Sequence, residues 1–335
     1  MATLKVGLIG CGRIGKVHAA ALQQVETAEL VRVCDVYLEA AEAVGNKYNV
    51  PYSDNHHDIL MDGEIEAVLI CSSTDTHAQF ITEAAEAGKQ IFCEKPIHHD
   101  IEAIDSALAA VEKAGVKLLI GFQRRFDPNF MAAKQAIADD KIGDLHILKI
   151  TSRDPAPPPI EYIKVSGGIF LDMTIHDFDM ARFLTGSEVE EVFVQAAVRV
   201  DPEIGEAGDV DTAIINLKFE DGTLCVIDNS RQAAYGYDQR VEAFGSKGMV
   251  EVGNNYPNNA KLSTADSVSS EKPLHFFLER YMDAYANEIR AFVDCVFNDT
   301  EVPVGGNDGR APVLIGLAAW KSVRENRPVK ISEIG

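Results

Sequence analysis

Three short stretches of this chain combine residue types able to hold an anion and to move a proton. The first, Gly10-Cys11-Gly12-Arg13-Ile14-Gly15, has the G-x-G-x-x-G spacing. In that spacing the first glycine allows a tight turn, the second lets backbone approach a pyrophosphate, and the third lets a helix pack closely on a strand. The second stretch, Glu94-Lys95-Pro96, ends an apolar run with an ammonium group. Proline after Lys95 biases that residue toward extended dihedrals, from which its side chain can project. The third runs from Gly167 to Asp179 and contains Asp172-x-x-x-His176. A helix over Asp172–Phe183 would set Asp172 and His176 at i and i+4, their Cβ atoms ~5–6 Å apart. Asp179 would follow three residues on, along the same edge. A carboxylate beside an imidazole fixes its tautomer and stabilises its protonated form, as a general base for an alcohol requires. The same residues also fit a helix-surface ion pair, a satisfied core histidine, or a metal set of Asp172, His176 and Asp179. The metal reading lacks a second histidine or a cysteine pair at ligand spacing, and no metal is expected.

Four further residues refine the cofactor expectation. Asp35 lies 20 residues past Gly15, at the end of a second apolar run. A carboxylate there accepts hydrogen bonds from both adenosine ribose hydroxyls and repels a 2′-phosphate. The next basic residue is Lys47, well along the following helical pattern. NAD is therefore expected over NADP, although an acidic cap on the next helix is an alternative role for Asp35. Cys71-Ser72-Ser73-Thr74 ends another apolar run, ahead of a helix starting at Asp75 or Thr76. Ser72, Thr74 and His77 are candidates to touch the cofactor, and equally candidates to cap that helix.

The elements that must position these residues are legible as a change of rhythm. Leu4–Ile9, Leu30–Cys34, Ala67–Cys71, Gln90–Cys93 and Lys117–Ile120 are continuously apolar, as strands buried on both faces of a parallel sheet are. Helical patterns at Ile14–Gln24, Leu38–Tyr48, Thr76–Ala87 and Ile101–Ala114 separate them. This alternation predicts a doubly wound α/β domain, a Rossmann arrangement, over 1–121. From about residue 145 the strands come in succession: Leu145–Thr151, Val189–Val200, Asp211–Phe219, Thr223–Asn229, Gln239–Phe244 and Met249–Val252. Short turns, such as Glu220-Asp221-Gly222, predict a mostly antiparallel sheet in a second, α+β domain over 122–335. The Pro155–Pro159 run predicts a loop. A stripe of Phe277, Tyr281, Tyr285 and Ile289 marks one closing helix. A second, over 308–325, is expected to pack back on the first domain.

Composition restricts the partners. The 335 residues are 46% apolar and 25% charged, which excludes a largely disordered chain. Lys and Arg total 31 against 52 Asp and Glu, a net charge of -21. So acidic a surface repels nucleic acid and anionic lipid, while a helix N-terminus can still bind an anionic cofactor locally. No apolar run approaches the ~20 residues of a membrane span. The six cysteines form no CxxC pair and mostly lie in or beside apolar runs, which points to a reducing, cytoplasmic compartment.

Taken together, these motifs resemble the Gfo/Idh/MocA family of NAD(P)-dependent oxidoreductases, over essentially the whole chain. The resemblance rests on Gly10–Gly15, Glu94-Lys95-Pro96 and Asp172-x-x-x-His176. Gly121–Asp127, Thr151–Pro155 and Tyr235–Asp238 point to its inositol-oxidising branch. It implies a Rossmann domain followed by a domain with a large open sheet, whose exposed face commonly joins protomers into dimers or tetramers. It also implies a catalytic set of Lys95, Asp172 and His176, and cofactor contacts from the glycine loop, Asp35, Ser72, Thr74, His77, Glu94 and Lys95. Substrate hydroxyls would meet Lys95, Arg125, Asp154, Asp172, His176, Asp179 and Tyr235. Where Ser152–Pro155 stands, some inositol dehydrogenases carry a histidine and an asparagine, so hydroxyl recognition differs there. The expected reaction is oxidation of a ring secondary alcohol, myo-inositol carbon 2, to a ketone by NAD. Alternatives are scyllo-inositol, a pyranose or an anhydrosugar as substrate, or, more distantly, an NAD-dependent glycoside hydrolase or a non-enzymatic NAD sensor.

Overall fold

The computed structural model describes residues 3–335, in two compact units. One comprises the chain up to Asp127 together with Met282–Val313; the other comprises Pro128–Tyr281 and Leu314–Gly335.

The first unit alternates strand and helix: β1 (Leu4–Ile9), α1 (Arg13–Leu22), β2 (Ala28–Cys34), α2 (Leu38–Tyr48), β3 (Tyr52–Ser53), α3 (His57–Leu60), β4 (Ala67–Ile70), α4 (Thr74–Glu86), β5 (Gln90–Glu94), α5 (Ile101–Ala114) and β6 (Leu118–Gly121). The six strands form one sheet in the order β3-β2-β1-β4-β5-β6, with every pair parallel. β4 and β6 are buried throughout, which is why their residues are apolar without alternation. The strand order reverses at β1, so the carboxyl ends of β1 and β4 open side by side, and ligands of such sheets bind at this switch point. The expected helix after Cys71 begins one or two residues early, at Thr74, with Ser73 as its N-cap.

The second unit contains α6 (Pro128–Ala138), β7 (Leu145–Arg153), α7 (Ile160–Ile163), α8 (Ile169–Asp172), α9 (Ile175–Thr185), β8 (Val189–Ala197), α10 (Pro202–Glu206), β9 (Thr212–Phe219), β10 (Leu224–Ser230), β11 (Asp238–Gly245), β12 (Gly248–Val252), a small hairpin of β13 (Lys261–Ser263) and β14 (Val268–Ser270), and α11 (Phe277–Arg280). Three elements follow: α12 (Met282–Asn298), α13 (Gly306–Glu325) and β15 (Val329–Lys330). The large sheet runs β12-β11-β7-β10-β9-β8-β15. Its pairs are antiparallel except β7 with β10. That pair is parallel because some seventy residues, carrying α7–α10, β8 and β9, intervene between the two strands.

The inner face of this sheet buries Ile215, Leu217, Phe219, Ile227 and Ala243. Its other face carries a transverse row: Leu224 pairs with Ile147, Ile147 with Phe244, and Phe244 with Met249. All four side chains are 45–52% exposed. Among the described residues no helix is long and apolar enough to cross a membrane, and all six cysteines are free and buried.

The structure corrects three expected elements. The helix expected over Asp172–Phe183 is two helices, α8 ending at Asp172 and α9 starting at Ile175. The Thr174 hydroxyl in the gap donates to Asn229 Oδ1 on β10 at 2.6 Å, and the Asn229 amide donates to Asp177 Oδ2 at 2.9 Å. The Phe277–Ile289 stripe is likewise divided, between α11 and α12. β8 ends at Ala197 rather than Val200, because the Asp211 carboxylate accepts from the N–H groups of Arg199, Val200 and Asp201 and turns the chain.

Candidate active site

In the first unit the glycine loop leaves β1 and opens α1. Gly10 has φ +98°, and a Cβ there would lie 2.5 Å from the Cys71 and Ser72 backbone. A Cβ on Gly15 would lie 1.9 Å from the Gly10 carbonyl oxygen. Gly12, the N-cap of α1, faces open space and lends that helix end no side-chain cap. The N–H groups there thus meet a cradle without side chains, as a pyrophosphate requires. Arg13 is exposed, and Ile14 half-buried, on the first turn.

Asp35, directly after β2, accepts from the Cys11 N–H at 2.7 Å through Oδ2 and from the Tyr37 N–H at 2.9 Å through Oδ1. It therefore ties the second strand to the glycine loop while remaining partly exposed. Val36, Tyr37 and Leu38 follow it and are 80%, 76% and 48% exposed, an apolar surface suited to the face of a purine. Sequence reasoning passed over them; the available signal was three apolar residues immediately after a strand-terminal carboxylate.

At the end of β4, Ser72 and Thr74 are partly exposed, and the Ser72 hydroxyl lies 2.7 Å from that of Thr76. His77 is 2% exposed, with Nδ1 2.8 Å from the Pro96 carbonyl and Nε2 3.1 Å from the Ser72 carbonyl. Burial lowers its pKa despite these carbonyls. A neutral ring can donate to only one of these two carbonyls, so it bonds either the Pro96 turn or the Ser72 loop and merely touches the other. Glu94 also turns inward: Oε1 lies 2.7 Å from His18 Nε2, and Oε2 accepts from the Lys95 N–H at 3.1 Å. Expected among the cofactor contacts, His77 and Glu94 have their polar atoms engaged in holding the backbone around Lys95 and Ser72. Arg125 is held by Asp308, Nη2 to Oδ1 at 2.9 Å.

Behind Glu94 lies a buried polar cluster that sequence reasoning missed, since its members come from α1, β5 and α12. His18 and Glu288 are both 0% exposed, and His18 Nδ1 is 4.0 Å from Glu288 Oε1. Neither Glu288 oxygen has a hydrogen-bond partner among the described residues. Burial, and then the facing Glu94 carboxylate, push the Glu288 carboxyl well above the usual range.

In the second unit, Gly167 and Gly168 (φ +83° and +78°) turn the chain into α8. A Cβ on Gly168 would lie 2.7 Å from the Trp320 ring and 2.8 Å from Asp209 Oδ1. Asp172, at the end of α8, receives the Tyr162 hydroxyl at 2.9 Å on Oδ1 and Arg231 Nη1 at 3.3 Å on Oδ2. His176, in the first turn of α9, is half-buried, while Asp179 further along is 1% exposed. Asp154 is anchored by its backbone to Ser230 and Ala233. The Tyr235 hydroxyl donates to Asp238 Oδ2 at 2.6 Å and accepts from Arg153 at 3.0 Å. Burial, and then Asp238, raise the Tyr235 pKa, so it stays a donor at neutral pH. Among the described residues, two His/Glu clusters have ligand atoms within 4.8 Å of one another, His56-His57-Glu83 and His18-Glu94-Glu288, and neither includes Asp172 or His176.

Comparison with known proteins covers nearly the whole chain. Residues 4–122 match the family model for an oxidoreductase family with an NAD-binding Rossmann fold. Residues 130–251 match the GFO/IDH/MocA C-terminal domain. The chain is 47% identical to a myo-inositol 2-dehydrogenase of Thermotoga maritima, covering 99% of each chain. It is 48% identical to an inositol 2-dehydrogenase of Rhizobium meliloti, covering 98% of this chain and 100% of that one. It superposes with a TM-score of 0.92, at 31% identity and over 98% and 99% of the two chains, on a Lactobacillus casei scyllo-inositol dehydrogenase solved with NAD(H) and scyllo-inositol.

Two outcomes test this local reading. Gly12→Ala should melt like the native protein but bind NAD more weakly, whereas Gly15→Ala should lose both thermal stability and binding; equal behaviour of the pair in calorimetry would contradict the steric assignment. The second concerns Glu288, which keeps a proton in the folded state above the pH at which the unfolded chain releases it. Stability conferred by that proton is complete at low pH and falls as pH rises past the ordinary glutamate range. Glu288→Gln should therefore gain melting temperature over the native protein near pH 8 and lose that advantage near pH 5. A difference independent of pH would show that Glu288 is ionised.

Proposed function

We propose that this chain, which belongs to the Gfo/Idh/MocA family of NAD-binding oxidoreductases, oxidises myo-inositol at carbon 2 to 2-keto-myo-inositol. Near-full-length identity of 47% and 48% to two proteins named as inositol 2-dehydrogenases carries the substrate assignment. The glycine loop and Asp35 hold NAD, whose nicotinamide supplies the hydride acceptor. Ser72 and Thr74 contribute to the same cofactor site, on a loop whose Ser72 carbonyl lies beside His77.

His176 takes the proton of the reacting hydroxyl at its imidazole. Asp172 orients that ring and stabilises the imidazolium, although the break between α8 and α9 means that continuous-helix spacing does not pair them. Lys95, as an ammonium, donates to the reacting oxygen and stabilises the negative charge that develops there. Arg125, Asp154, Asp179 and Tyr235 read the remaining hydroxyls, and a site built on such polar contacts rejects analogues that lack one. No metal is required, because these groups supply both the base and the charge stabilisation. A second substrate, scyllo-inositol, is favoured by the likeness to the Lactobacillus casei enzyme.

The enzyme works in the cytoplasm as a homo-oligomer, a dimer or tetramer. The row of Leu224, Ile147, Phe244 and Met249 supports association through the open sheet face, since four adjacent half-exposed apolar side chains favour burial.

NADH formation, followed by absorbance across inositol isomers and common sugars, should be fastest with myo-inositol, and His176→Ala should lower turnover by ~10²–10⁴-fold. A panel in which only a pyranose reacts would reject the substrate, and near-native turnover by the variant would reject the base. In light scattering, the Ile147→Lys/Phe244→Glu double variant should have a smaller mass than the native assembly. An unchanged mass would place the interface elsewhere.

A further inference from the structure

Arg231 is the largest side chain held almost entirely from water, at 1% exposure. It follows β10, and its guanidinium reaches two carboxylates, Asp172 Oδ2 at 3.3 Å and Asp209 Oδ2 at 3.4 Å. Asp209 in turn accepts the Ile169 N–H at 2.9 Å, on the first residue of α8, while Asp172 is the last residue of that helix. The contacts form a closed loop, from Arg231 through Asp209 to the start of the one-turn helix and from its end through Asp172 back to Arg231. Tyr162 on α7 holds the other Asp172 oxygen. Gly168 leaves no room for a side chain that would push Asp209 aside.

We propose that Arg231 is a positioning residue for the reaction, holding the Asp172 carboxylate in one orientation and tempering its pull on the imidazolium of His176. The proposal rests on the assignment of Asp172 and His176 given above. Two other carboxylates nearby are already engaged. Asp211 uses its carboxylate on the N–H groups of Arg199, Val200 and Asp201 and on the Thr212 hydroxyl, and Asp177 is bonded to Asn229. Burial, opposed by the Ile169 N–H and Arg231, raises the Asp209 pKa.

The sign of the effect is fixed by Coulomb's law. On the assignment proposed above, the Asp172 anion would favour the protonated ring of His176, and the Arg231 cation held by that carboxylate would oppose it. Removing the cation makes His176 more basic. In Arg231→Gln the acidic limb of the kcat/KM–pH profile should move up by about half to one pH unit. Turnover should fall by ~10–10²-fold, with the NAD KM unchanged. Arg231→Lys keeps the charge but not the two-pronged geometry; its limb should stay in place while kcat falls.

His176→Asn, assayed in parallel, separates the two claims. If His176→Asn is inactive while Arg231→Gln keeps native kcat and an unmoved limb, Arg231 has no such role and the base assignment stands. If His176→Asn stays active, the base assignment itself fails. Should Arg231→Gln not fold, Arg231→Lys decides: native kcat overturns the proposal, and a lowered kcat with an unmoved limb supports it.

Discussion

A guanidinium that water does not reach must be answered by nearby negative charge, and the region around Asp172 is arranged to answer Arg231. An ion buried without a partner costs several kcal/mol, on the order of what a single domain has to spare. That constraint explains why a one-turn helix ends on an aspartate, why its first N–H is taken by a second aspartate, and why two glycines precede it. The first unit meets the same constraint differently. Around His18, Glu94 has the imidazole and the Lys95 N–H as partners, while Glu288 has no hydrogen-bond partner among the described residues and burial favours its protonated form.

Much of the fold was legible because buried parallel strands have no option but to be apolar on both faces. β1 was read to the residue, and β2, β4, β5 and β6 to within one or two at each end. β3 escaped because two residues, Tyr52 and Ser53, have no periodicity; only their pairing with Val33 and Cys34 makes them a strand. The β13–β14 hairpin escaped because all its residues are exposed, leaving no hydrophobic alternation to read. Helix α9 shows the limit of spacing arguments. Asp172 and His176 sit four apart in a run that reads as helical, but Thr174 between them bonds to a strand more than fifty residues away. The end of β8 was misplaced for the same kind of reason, a carboxylate at Asp211 reaching back to three N–H groups.

The candidate site divides along similar lines. Residues proposed to act through their own type and local spacing, such as the three glycines, Asp35 and Lys95, are visible in one dimension. Residues that act by holding others are not. Arg231, Asp209, Tyr162 and His18 gain their meaning only from the partners that folding brings to them. A chain with a net charge of -21 nevertheless binds an anionic dinucleotide, because open backbone at Gly12 and the uncapped start of α1 act over a few ångströms, inside the range of salt screening.

Asp35 has a second job beside the ribose contact proposed for it. Its carboxylate fastens the Cys11 and Tyr37 amides, and so the entrance to the glycine loop. Reprogramming the enzyme for a phosphorylated coenzyme is therefore not a matter of exchanging one side chain for a smaller or basic one. An engineer would have to supply a substitute anchor for both amides at the same time, and evolution, moving one codon at a time, would face the same barrier.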